Sequence, residues 1–230
     1  KFRLWGPEAV VALRVYPDLH PRARKTQLDL AATGAAAVDM SVDIVLNPGD
    51  VLHVPAFTFH QVEALEMSVS VNVFSVCRSQ LHGSRILSFP VPVCEPDPST
   101  SGRTLAHLAS HVLPAFGVDS AKEFFDRVLL NGRYRPLKSS GQGDLAESTF
   151  DRKNVANAAL DAGSTDMDSM LSICEVIATA RSELLASSLD FPWGGYRDII
   201  AAHLMESWAL QLSGSPTLVH ATLEEAASSF

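Results

Sequence analysis

One stretch constrains this chain more than any other: residues 47–75, NPGDVLHVPAFTFHQVEALEMSVSVNVFS. Pro48-Gly49-Asp50 predicts a turn, since Pro fixes φ and Gly accepts a positive φ. Residues 51–54 read as a short strand halted by Pro55. Residues 57–64 read as a second strand and 68–75 as a third, rich in Val and Phe. Alternation along the second strand puts Thr58, His60 and Val62 on one face and Phe59, Gln61 and Glu63 on the other. Ahead of the turn, Val38, Met40, Val42, Ile44 and Leu46 alternate with Asp39, Ser41 and Asp43, the period of a half-buried strand. Residues 1–5 predict one more strand, ended by Gly6-Pro7. Residues 8–13 are too short a run to assign to a helical turn or a strand.

Beyond Ser75 the strand pattern fades. Pro90, Pro92, Pro96 and Pro98 hold the chain extended, and 99–102 read as linker sequence. From Arg103 the period turns helical. Residues 104–113 and 120–130 predict two short helices, the second capped by Asp119 or Ser120. A flexible Ser/Gly stretch then runs to Gly143, and 150–160 predict a helix. The two strongest helices are 165–188 and 194–212. Thr165-Asp166-Met167-Asp168 resembles a capping box. Met170, Ile173, Ile177, Ala180 and Leu184 form one stripe; Met167, Leu171, Cys174 and Ala178 form another. So wide an apolar face predicts a helix covered on more than one side. Tyr196, Ile200, Leu204 and Trp208 stack at i, i+4, and Gly214 and Pro216 stop that helix. The division this predicts is 1–97, a linker at 98–102, and a helical region over 103–230.

Composition bounds the function classes. With 47% hydrophobic and 19% charged residues the chain is globular, not disordered. A net charge of −8 argues against a nonspecific nucleic-acid binder, whose footprint is basic. Cys77, Cys94 and Cys174 are an odd set without short spacing. That argues against a zinc cluster or a disulfide framework, and for a reducing, intracellular compartment, cytoplasmic or nuclear. No apolar run reaches the roughly 18 residues of a membrane span. Lys1 opens straight into strand-like sequence, with no Met, cap or turn before it. The expectation is the C-terminal part of a longer protein.

The turn with its three strands is what a double-stranded β-helix, or cupin barrel, presents at one end. PGDVLHVPAFTFHQV followed by SVSVNVFS resembles the JmjC family of iron- and 2-oxoglutarate-dependent oxygenases. Within that family it is most similar to asparaginyl hydroxylases of the kind that inhibits hypoxia-inducible factor. KFRLWGPE at 1–8 resembles the family's lysine-bearing strand, and YPDLHPRARKTQLD at 16–29 the segment after it. The fold class this implies is the distal half of a JmjC-type β barrel over 1–97, followed by an α-helical C-terminal region.

The resemblance also implies an activity. An Fe(II)-dependent dioxygenase consumes O2, decarboxylates 2-oxoglutarate to succinate and CO2, and hydroxylates a C–H bond. A protein or peptide side chain is the first choice of substrate and an N-methyl-lysine the second; a tRNA base is disfavoured by the acidic balance. Such iron is held by two His and one carboxylate on one face, with the remaining positions open. The resemblance makes His60 the distal iron ligand and the catalytic residue of this stretch. It makes Lys1 the cation for the far carboxylate of 2-oxoglutarate. It makes Asn72, between Val71 and Val73, an amide that orients the same co-substrate. Taken without the resemblance, His60 reads as a hydrogen-bonded core histidine, Lys1 as a solvated lysine and Asn72 as a backbone-bonding amide.

The family's other two ligands form a His-x-Asp/Glu pair ahead of the lysine. None of the eight histidines here is followed at i+2 by Asp or Glu. The pair is therefore expected upstream of Lys1, or it has been lost. Its loss would make this a non-catalytic cupin-fold binding or scaffold protein. Thr58-Phe59 also stands where relatives often carry two large aromatics, which reshapes the wall beside the iron. Helices 165–188 and 194–212 are candidates for a homodimer interface, with purely intramolecular packing as the alternative. His53 and the i, i+4 pair His107 and His111 read as solvated side chains.

Overall fold

The computed structural model describes residues 1–30, 41–93, 98–135, 167–187 and 191–230. Its three strands are β1 (Phe2–Trp5), β2 (Ser41–Ile44) and β3 (Phe59–Val62), in one antiparallel sheet of order β2-β1-β3. Leu4, in the middle strand, lies opposite Val42 on one side and His60 on the other. Alternation gives the sheet two unlike faces. Trp5 belongs to the inner one. It is buried with Ala9, Val10, Leu13, Val15 and Ile199, and Phe57 and Phe59 pack beside them. Pro7 sits in the first turn of the 3-10 segment Pro7–Val10, where its missing N–H costs nothing.

The helical elements are α1 (Arg78–Leu87), α2 (Ser101–Phe116), α3 (Ala121–Phe124), a π-helix (Phe125–Tyr134), α4 (Met167–Ser187), α5 (Trp193–Ser213) and α6 (Val219–Ser228). Helix α5 is the hub: it touches α1, α2, α4, α6, the π-helix and the Pro7–Val10 turn. Tyr196, Ile200, Leu204 and Trp208 are all buried, so the i, i+4 stack is the core itself. Three polar tips on buried aromatics find carbonyls. Tyr196 Oη donates to Ser79 O at 2.9 Å, Trp193 Nε1 to Phe116 O at 3.0 Å and Trp208 Nε1 to Phe89 O at 3.3 Å. A Cβ on Gly195 would run into the backbone of Pro7 and Glu8. Glycine at that point is what lets α5 lie directly on the turn after β1.

A buried ionic cluster closes the same seam. Arg133, at the end of the π-helix, is 2% exposed and Glu206 on α5 is 0% exposed. Arg133 Nε lies 3.0 Å from Glu206 Oε1, an ion pair without hydrogen-bond alignment. The N-terminal segment supplies the remaining partners. Asp18 N donates to Glu206 Oε2 at 2.8 Å, Arg133 Nη2 donates to Tyr16 O at 3.1 Å, and Gln27 Nε2 donates to Arg133 O at 2.6 Å. Burial pushes the Glu206 carboxyl up to about 7, against the pull of Arg133 and the Asp18 N–H. Burial, with Arg133 adding to it, pushes His203 down to about 4, against the attraction of Asp18 at 3.7 Å.

The sequence expectations need several corrections. The barrel expected over 1–97 is absent among the described residues: the sheet has three strands and most described elements are helices. Residues 51–54 and 68–75 form no strand, because no strand among the described residues meets their backbone groups. Val51, Val69, Val71 and Val73 are accordingly 89–95% exposed. The second strand shortens from 57–64 to Phe59–Val62, and the one ahead of the turn to Ser41–Ile44, with 38–40 outside the described residues. Helix α1 lies where no element was expected; Cys77 N donates to Gln80 Oε1 at 3.1 Å at its start. The expected linker at 98–102 is the turn Pro98–Thr100 running into α2, and Ser101 Oγ donates to buried Leu212 O at 3.0 Å.

In α4 the stripe Met170, Ile173, Ile177, Ala180 and Leu184 is buried, while Leu171 is 56% exposed. The described residues cover that helix mainly on the side of this stripe, with Cys174 and Val176 partly buried beside it. The residues of α5 are largely buried by this chain's own elements. Ser120 caps the second helix as read, its Oγ accepting from Glu123 N at 3.2 Å. The expected helix 150–160, the Ser/Gly stretch to Gly143 and the first half of the capping box lie outside the described residues. Among the described residues no helix is long and apolar enough to cross a membrane.

Two predictions follow from the seam. Arg133→Met strands a buried carboxylate and should cost about 3–5 kcal/mol in urea unfolding. Adding Glu206→Met should recover part of that loss; a single change that costs under about 0.5 kcal/mol would mean the pair holds nothing together. His203 is kept neutral when folded, so its contribution is present above pH 6.5 and lost as pH falls towards about 4. Glu206 slopes the other way, losing its contribution as pH rises from 4.5 through about 7. His203→Gln should flatten the acid side of the urea-midpoint profile and leave the Glu206 slope; an unchanged acid limb would contradict this.

Candidate functional site

The site suggested by the sequence sits on the small sheet, and the strand register fixes which side chains share it. Phe2 faces Ile44 and Val62, and Leu4 faces Val42 and His60. These six residues occupy one face. Val42 is 58% and Val62 57% exposed, and His60 is exposed as well. The face is thus an apolar surface with a single imidazole, left open by the described residues. The alternation read for His60 and Val62 is the one observed, with Phe59 and Gln61 opposite Trp5 and Arg3 on the other face.

Lys1 extends the β1–β3 pairing by one residue. Its N-terminal nitrogen donates to Glu63 O at 2.8 Å and Glu63 N donates back to Lys1 O at 2.9 Å. Its side chain therefore belongs with Arg3 and Trp5, on the face away from His60. There Lys1 Nζ lies 2.7 Å from Asp43 Oδ2. Arg3 grips the same carboxylate with both ends of its fork, Nε to Oδ1 at 2.6 Å and Nη2 to Oδ2 at 2.8 Å. The Arg3 and then the Lys1 hydrogen bonds hold Asp43 well below the usual carboxylate range. A shallow cavity of about 410 Å³ on this side is lined by Lys1, Arg3, Leu30, Gln61, Val62 and Glu63. Asn72 is exposed within the unpaired run 68–76.

The implied cofactors can be tested against these residues. Among the described residues no three His, Cys, Asp or Glu side chains converge to hold a metal. On its face of the sheet His60 has only apolar strand neighbours, and Lys1 points to the opposite side, paired with the Asp43 carboxylate that Arg3 shares. The residues present do not by themselves fit Fe(II) or 2-oxoglutarate. His107 and His111 stack edge to face at 4.8 Å on the exposed side of α2, in keeping with a solvated pair.

Sequence reasoning missed the buried set of Arg133, Glu206 and Tyr134, with half-buried His203 beside it. Tyr134 stacks on the His220 ring at 5.3 Å, and its hydroxyl has no hydrogen-bond partner among the described residues. One signal was present. A helix as largely apolar as α5 is covered on most sides, which leaves the Glu206 carboxylate little access to water.

Residues 13–81 match the JmjC domain. The matched segment contains His60 and Asn72, runs through β2 and β3, and ends inside α1. It leaves out Lys1, β1 and all the later helices. Neither the curated proteins nor the solved structures give a match to this chain.

The sheet makes a direct prediction. Trp5→Ala empties a buried indole site and should cost about 3–5 kcal/mol. His60→Ala, on an open face, should change the urea midpoint by no more than about 0.5 kcal/mol. A His60 variant that unfolds as readily as the Trp5 one would make the imidazole structural.

Proposed function

We propose that this chain is the distal part of a JmjC-type Fe(II)- and 2-oxoglutarate-dependent dioxygenase acting on a protein side chain. His60 is its one iron ligand here. The observation that carries the reading is an imidazole, inside the JmjC-matched segment, on an apolar face that no described residue covers. The remaining ligands, a His-x-Asp/Glu pair, would come from chain preceding Lys1, whose strands would cover that face and pair with 68–75. Removal of a methyl group from lysine is the second substrate choice within this class.

Lys1 and Asn72 keep their proposed role as holders of 2-oxoglutarate under one condition. A strand pairing shifted by one residue transfers every side chain of that strand to the other face. Lys1 must move in this way to meet His60. The pairing with Asp43 on the opposite face favours a second reading, a binding or scaffold module without turnover.

Full-length protein supplied with Fe(II) and 2-oxoglutarate decides between them through succinate release and cobalt uptake read by visible absorption. The dioxygenase reading predicts turnover in wild type, none in His60→Ala, and a raised 2-oxoglutarate requirement in Lys1→Ala. Turnover that survives loss of His60 removes the ligand assignment. Absence of both turnover and cobalt binding in the wild type favours the scaffold reading.

A further inference from the structure

A cleft of about 740 Å³ opens between the stretch after the Pro7–Val10 turn and the α3–π-helix segment. That volume lies within the roughly 300–1,000 Å³ of ligand sites. Val11 and Ala12 form its apolar part, and Arg14, Lys122, Arg127 and Arg135 surround it. A gathering of four cations runs against the chain's net charge of −8. Two of them are already paired, Lys122 with Asp126 at 3.4 Å and Arg127 at 3.1 Å with Asp198, which Arg197 shares. Arg14 and Arg135 form no ion pair with a described carboxylate. Glu123 is also on the rim and unpaired, which disfavours a densely anionic ligand and leaves room for one with a few spaced charges.

The backbone on both sides of the cleft is unusual. Arg14 has φ of 45°, a region where glycine is relaxed and a long side chain is not. It is held there by its N–H to Val11 O at 3.1 Å and by Gln27 N to its own carbonyl at 2.9 Å. The far wall is the π-helix, where Asn131 Nδ2 donates to Asp126 O at 2.7 Å. Residues held in such conformations, and π-helical turns, concentrate at functional sites.

We propose that this cleft binds an acidic peptide segment. Its carboxylates pair with the Arg14 and Arg135 guanidiniums, whose forked donors match that geometry. An apolar side chain between those carboxylates covers Val11 and Ala12. The wide mouth suits a chain laid across it better than an enclosed small molecule. The cleft shares no residue with the His60 face, so this inference stands whether or not the dioxygenase reading does.

Fluorescence anisotropy with a labelled peptide carrying two Glu residues around a central Leu tests it. The isosteric Gln peptide and inorganic phosphate serve as competitors. Arg14→Gly removes the guanidinium while relaxing the positive φ, and Arg135→Ala removes the second. Each should weaken binding about 5–10-fold and the pair together by more, with unchanged melting profiles. Arg85→Ala, at an exposed position of α1 that does not line the cleft, should bind as wild type. Equal binding of the Gln peptide, or of both cleft variants, overturns the proposal. Displacement by phosphate at concentrations equal to the peptide would make the cleft a small-oxyanion site and overturn the peptide as its ligand.

Discussion

The fold depends on a charge pair that has been taken out of water. Arg133 and Glu206 are both essentially inaccessible and 3.0 Å apart. Removing two charges from solvent is costly, and their attraction offsets that only when their remaining polar atoms are also met. Here those partners come from a different part of the chain, through Tyr16 O, Asp18 N and Gln27. The pair therefore does more than join the π-helix to α5. It makes correct docking of the segment at 16–27 a condition for the helical core to be electrostatically satisfied. Gly195 against Pro7 and Glu8 and Ile199 against Trp5 give the apolar half of the same seam. Through Tyr16, Asp18 and Gln27 the JmjC-matched segment meets the helices directly at this seam.

That coupling positions the sheet. Its inner face is committed to the helical core through Trp5, so its outer face, with His60, is the one left for a further element or a ligand. The period of two in a strand makes this an all-or-none choice. With Trp5 inward, Lys1 and Arg3 are committed to the His60-remote side and meet Asp43. The chemistry available at His60 in the described residues is that of one solvated imidazole on an apolar floor.

What was legible in the sequence follows from how local each signal is. The stack of Tyr196, Ile200, Leu204 and Trp208 is written in one helix's own period, and it is the core. The Ser120 cap and the Gly214 stop need only their immediate neighbours, and both hold, with Gly214 at φ of 66°. Strands are another matter, because a strand exists only through its partner. Residues 68–75 carry strand-like Val alternation and His60 carries the right parity. Yet of these two stretches only that of His60, as β3, finds a partner among the described residues, and 68–75 lie exposed. That Lys1 and His60 lie on opposite faces of the sheet is hidden in the sequence for a related reason: register is a property of two strands, and the motif lists them one at a time. The π-helix and the Arg133–Glu206 pair depend on contacts across most of the chain, and no short-range pattern encodes them.

The central claim is that the JmjC-matched segment and the helical core open together. The measurement closest to it is native-state hydrogen exchange at Asp18, whose amide donates to the buried Glu206 carboxylate from outside any helix or strand. One cooperative body predicts that this amide exchanges with an opening free energy within about 1 kcal/mol of the slowest α5 amides. Exchange at the rate of an exposed loop, while α5 stays protected, would contradict it.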